Sequence, residues 1–241
     1  MHMLLAWFNA CVGALLGFFV GRFIALSAHL LPEILLEERG EPRDIFTAFF
    51  SAKRYKVCKA KAPKKFFWLP ILYATLIGAT LLVYPLSLSV VFVLFASSLL
   101  ILSFVTDYEN RILPDQLTLT LLWTGLLASI FNLFITPEEA ILGAIFGYVF
   151  FYITNLIYRM SRGVDGMYPG DFKLNAAIGA FAGFSWLVWI ILLSFFLLVV
   201  FSLIAHFAKK DKKGKKLLKT EMPYGCFASL ITIIFLYAIW L

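Results

Sequence analysis

Apolar residues run through this chain in blocks of about 20, separated by short polar clusters, with no sustained alternation of apolar and polar positions. Blocks of that length cross a bilayer's hydrocarbon core as α-helices, whereas a membrane β-barrel needs alternating segments of about ten residues. The pattern predicts eight spans, at about 4–31, 66–84, 87–106, 114–135, 139–158, 171–183, 186–207 and 224–241. A single straight helix over 171–207 would be about 55 Å long, against a core of about 30 Å, so a break is expected near Gly183-Phe184-Ser185. That leaves the sixth span short, as a partial or re-entrant helix buried in the bundle. The expected fold class is an all-α polytopic membrane protein of about eight transmembrane helices with a short sixth.

Composition agrees, with 62% hydrophobic and 15% charged residues in 241. The first block has no Lys or Arg before Arg22, so it reads as a retained anchor and not as a cleaved signal peptide. Two segments follow from this reading: residues 1–65, a first transmembrane helix with a basic loop, and residues 66–241, a seven-helix membrane core.

Charge adds an orientation. The loop after the first span carries nine Lys and Arg, the one before the last span carries seven, and Arg111, Arg159, Arg162 and Lys173 lie at other loops of the same parity. Apart from Arg22, which can snorkel or pair, every basic residue therefore falls on one side, which the positive-inside rule makes cytoplasmic. Both termini then face the periplasmic side. Within the first loop, "DIFTAFFSAKRYK" reads either as a surface-lying amphipathic helix or as a solvated basic loop beside anionic lipid. The lysine run at 209–219 is a topology and lipid-surface signal. Membrane lipids thus account for a pI of about 9.3, and no nucleic-acid module is present in the sequence.

Cys11, Cys58 and Cys226 form no CxxC pair and read as inert small residues, so no metal site, and no zinc site in particular, is expected. No serine or cysteine nucleophile has a partnering histidine: His2 and His206 sit near span ends and His29 within the first span. The informative residues are three aspartates at cytoplasmic span ends. Asp115 follows Pro114 at a helix start, where a carboxylate favours the positive helix end, and Asp171 after Gly170 reads as an N-cap. Asp107 ends a helix, where the dipole disfavours negative charge, so it has the weakest structural reason to be there. Two carboxylates brought close do not both ionise easily; one holds a proton while the other takes one from water. Such a pair can direct water onto a peptide carbonyl and protonate the carbonyl oxygen or the leaving amine.

Asp107 heads a D-x7-D pattern that ends in Leu113-Pro114-Asp115 before a hydrophobic span, and Gly170-Asp171-Phe172-Lys173-Leu174 runs into the glycine-spaced "NAAIGAFAG". In these motifs the chain resembles the type IV prepilin peptidases, membrane aspartyl proteases of the GxGD class, whose second aspartate lies in GxGD followed by Lys-Leu and a glycine-rich helix. The stretch "EEAILGAIFGYVFFYITNLIYRM" is similar to the family's fifth span, "MPYGCFASL" to the start of its last, and "GRFIALSAHLLP" more weakly to the segment before its first loop. The resemblance implies a GxGD aspartyl protease-like fold with Asp107 and Asp171 as the catalytic aspartates, and Gly170, Lys173 and Asp115 in supporting or substrate-binding roles. It also implies type IV prepilin or pseudopilin substrates, cut after glycine at the cytoplasmic face of a bacterial inner membrane, in pilus assembly or type II secretion. The peptidase reaction needs no cofactor. Methylation of the new amino terminus from S-adenosylmethionine, the family's second activity, stays open.

The chain departs from the pattern where GxGD reads Tyr168-Pro169-Gly170-Asp171: proline fixes φ and holds Tyr168 extended, which implies a more rigid loop. Ala25 and Leu30 stand where the family usually has Asn and Arg, and the paired CxxC motifs of many members' first loop are absent. Two other readings remain at this level: a catalytically lapsed prepilin-binding assembly factor, and a membrane transporter using a carboxylate relay. The sequence names neither the prepilin partner nor the oligomeric state.

Overall fold

The computed structural model describes residues 2–37, 68–207 and 223–241. These residues form seven helices and no strand: α1 (His2–Glu37), α2 (Trp68–Val83), α3 (Leu88–Asn110), α4 (Asp115–Ile130), α5 (Pro137–Arg162), α6 (Pro169–Phe207) and α7 (Tyr224–Ile239). Four of them, α1, α3, α5 and α6, are long and apolar enough to cross a membrane; α2, α4 and α7 have 16 residues each.

The sixth and seventh predicted spans lie in α6, a 39-residue run in which two helices join across a kink. The run is interrupted where its length demands, at Gly183, whose φ of 68° and ψ of 175° lie in a region that only glycine adopts readily. The "DIFTAFFSAKRYK" segment, the lysine run, Cys58 and the division after residue 65 lie outside the described residues.

The chain forms two compact units, Met1–Leu94 and Phe95–Leu241, divided within α3. In the first, α1 packs on α2 through Gly13, Gly17 and Gly21, spaced four apart on one helix face. A Cβ at Gly17 would lie 2.6 Å from the Tyr73 carbonyl oxygen, so the two backbones are in direct contact.

In the second unit α6 is the central helix, with α4, α5 and α7 packed on it. Its apolar residues are buried along most of the first half, including Leu174, Ile178 and Phe181, whereas Leu192, Phe196 and Val199 on the second half are exposed, as befits a lipid-facing surface. Gly143 on α5 and Gly179 on α6 meet backbone to backbone, so a side chain at either would strike the other helix. Helix α5 carries its own end signals. Thr136 and Glu139 form a capping box around Pro137, Glu138 and Glu139 occupy the positive end, Arg159 and Arg162 the negative end, and Gly163 closes the helix at φ 74°.

Candidate active site

Asp107 lies in the last turn of α3 and is only 4% exposed. The chain leaves the helix through Arg111, at φ 56°, whose N–H donates to the Asp107 carbonyl at 2.9 Å. A carboxylate near this helix end meets an unfavourable dipole, and the compensation comes from another element. The backbone N–H groups of Gly225 and Cys226, at the start of α7, face the Asp107 carboxylate. The approach is close: a Cβ on Gly225 would fall 2.5 Å from Asp107 Oδ2. That oxygen is buried and has no hydrogen-bond partner among the described residues. The Cys226 thiol sits beside it and donates to the Phe104 carbonyl at 3.4 Å. Cys226 therefore belongs to the site, which its reading as an inert small residue missed.

Asp171 is 8% exposed near the start of α6. Because the helix begins at Pro169, Asp171 is not the N-cap that the sequence suggests but the third helical residue. Its Oδ2 accepts the Tyr168 N–H at 3.3 Å, and its own N–H donates to the Tyr168 carbonyl at 3.0 Å. This is the backward-reaching half of a capping box, with proline in its preferred first position. Tyr168-Pro169 is thus accommodated by starting the helix two residues before the aspartate.

The loop before α6 is tied down from α5. Asn155 Oδ1 accepts the N–H groups of Gly166 (2.8 Å) and Met167 (3.0 Å), and its Nδ2 donates to Asp165 Oδ1 at 3.0 Å. On the other side, Gly170 rests against the linker after α3: a Cβ there would lie 2.8 Å from the Leu113 Cβ. Leu113-Pro114-Asp115 and Gly170-Asp171, separate in the sequence, are therefore in contact.

Asp115 is the first residue of α4, after Pro114 at the cap, and puts its carboxylate in the first turn, at the positive helix end. Its Oδ2 also accepts from Lys173 Nζ at 2.6 Å. Lys173 compensates the charge of Asp115 and not that of the Asp107–Asp171 pair.

Asp107 and Asp171 line one cavity of about 440 Å³, walled by Leu113, Phe195, Leu198 and Tyr224, and they lie within electrostatic reach of each other. The arrangement offers two buried carboxylates, an apolar wall and an opening; among the described residues no group of three His, Cys, Asp or Glu could hold a metal ion. Beyond Cys226, the residues that sequence reasoning missed are Asn155, Asn175, Tyr224 and Gly225. The "MPYGCFASL" stretch carried the signal for the last two, as a resemblance without an assigned role.

Residues 92–203 match the model of the type IV leader peptidase family. The chain is 38% identical over 146 residues to a prepilin leader peptidase/N-methyltransferase of Dichelobacter nodosus, covering 61% of this chain and 47% of the relative. It is 38% identical over 124 residues to one of Xanthomonas campestris pv. campestris (52% and 42%), and 42% identical over 96 residues to one of Aeromonas hydrophila (40% and 33%). The chain thus spans less than half the length of these curated relatives. No solved structure matches.

Proposed function

We propose that this chain, whose residues 92–203 match the type IV leader peptidase family, is a membrane aspartyl endopeptidase that removes the leader of prepilin-like proteins. The observation that carries the reading is the convergence of Asp107 and Asp171, two buried carboxylates from distant helices, on one cavity. The D-x7-D and Gly170-Asp171 signals fall on the two aspartates that meet there.

In the proposed reaction one carboxylate takes a proton from water as the water oxygen bonds to the scissile carbonyl carbon, and its protonated partner gives its proton to the leaving amine as the C–N bond breaks. The apolar wall of Leu113, Phe195 and Leu198 suits the hydrophobic helix that follows the cleavage point in such substrates. Gly170 supports the site by letting the α3–α4 linker approach α6; Asp115 and Lys173 brace the same junction from its exposed side. The altered start of the GxGD pattern, which motivates a lapsed assembly factor, leaves Asp171 buried at the cavity and backbone-bonded.

The enzyme is placed in a bacterial inner membrane with its active site at the cytoplasmic face and its termini periplasmic, on the distribution of basic loops. If the new amino terminus is also methylated, S-adenosylmethionine is the co-substrate. One experiment reads both activities: the purified full chain is incubated with a prepilin, with and without S-adenosylmethionine, and the product amino terminus is measured by mass. Cleavage after the leader glycine supports the reading, a further 14 Da with the co-substrate adds methylation, and an intact prepilin contradicts the peptidase assignment.

A further inference from the structure

Among the described residues, the start of α7 reaches both aspartates, Asp107 at its carboxylate and Asp171 through its main-chain carbonyl. On one side the N–H groups of Gly225 and Cys226 face Asp107, a residue 96% buried whose Oδ2 has no hydrogen-bond partner and points at the glycine, 2.5 Å from where a Cβ would sit. On the other, the Tyr224 hydroxyl donates to Asn175 Oδ1 at 2.9 Å, and Asn175 Nδ2 donates to the Asp171 carbonyl at 2.8 Å. Asn175 is fully buried, which shields its bond to the Asp171 carbonyl from water. The Tyr224 ring is held between Phe151 and Phe195, with centroids 5.4 and 4.9 Å away.

Resting on the peptidase reading above, we propose that Tyr224-Gly225-Cys226 is the positioning element of the catalytic pair, setting the separation and orientation of Asp107 and Asp171. The two aspartates sit on different helices, and acid–base chemistry tolerates only small errors in their placement. Helix α3 gives Asp107 a flexible side chain near an unfavourable helix end; α7 supplies the N–H donors that hold it. The same turn, one residue earlier, grips the backbone that carries Asp171. Gly225 is required because any side chain would occupy the space of the Asp107 carboxylate, and Tyr224 because its hydroxyl completes the bridge to α6. These are positioning residues, acting through the aspartates.

The test uses the full chain in detergent with a prepilin substrate, and kcat and KM are measured separately. Gly225→Ala should lower kcat about 100-fold, the scale of an ångström's misplacement. Tyr224→Phe keeps the ring packing and removes one hydrogen bond, so kcat should fall about 5-fold. KM should stay within about twofold for both, because substrate docking does not depend on the carboxylate geometry. Combining Tyr224→Phe with Asn175→Ala should cost no more than Asn175→Ala alone, since both break one bridge. Wild-type kcat in Tyr224→Phe, a loss confined to KM, or additive losses in the double variant would overturn the inference alone, even where Gly225→Ala misfolds. A wild-type chain that does not cleave prepilin would overturn the peptidase reading and this inference with it.

Discussion

Lys173 Nζ lies 2.6 Å from Asp115 Oδ2, so the residue two beyond Asp171 is paired with the residue that opens the helix after Asp107. The pair is 28% and 54% exposed and bridges 58 positions. Exposed pairs contribute less than about 1 kcal/mol, so Asp115→Asn or Lys173→Met should barely change thermal stability. Both should slow cleavage partially, and the double variant should be no slower than the worse single. Initial rates at matched protein level check this. Complete loss in Asp115→Asn would assign Asp115 a direct chemical role.

Gly170 marks the junction between the two motifs. A Cβ there would lie 2.8 Å from the Leu113 Cβ and 3.2 Å from its carbonyl oxygen. Gly170→Ala should therefore push the linker away from Asp171 and cut kcat by about 10- to 100-fold, with the chain still inserted in the membrane. Rates within twofold of the wild type would show that the linker yields without cost.

Asn155 governs the loop before α6. Replacing it with alanine removes the acceptor for two backbone N–H groups and the donor to Asp165. Amide exchange at Gly166 and Met167 should speed up severalfold while the middle of α5 stays protected. Unchanged exchange there would mean that Tyr168-Pro169 alone orders the loop.

Gly183 tests the break in α6. An alanine at φ 68° and ψ 175° should cost about 1–3 kcal/mol, seen as a lower midpoint of thermal unfolding in detergent. The folded fraction should cleave prepilin at close to the wild-type rate, because the break lines no part of the cavity.

The helical membrane class was legible in the sequence because apolar blocks and polar interruptions are one-dimensional features. Even the break at Gly183 follows from helix length. There two helices meet within one apolar run, because a glycine can interrupt a helix without a polar loop to mark it. Pro114 and Asp115 open a helix with a carboxylate in its first turn, as the sequence indicates, whereas the tie of that carboxylate to Lys173, 58 positions away, was not legible. Asp171 looks like an N-cap until Pro169 is seen to start the helix. Least legible were Cys226, Gly225 and Asn175: small or amide side chains in apolar runs, whose significance exists only once α7 is laid against Asp107 and Asp171.

The central claim is that Asp107 and Asp171 together cut a prepilin leader, and it is tested most directly by substituting each. Wild-type, Asp107→Asn and Asp171→Asn chains, inserted to equal levels, are incubated with the same prepilin, and the substrate mass is followed. The account predicts mature product from the wild type and intact prepilin from both variants. Leader removal by either variant at the wild-type rate would contradict it.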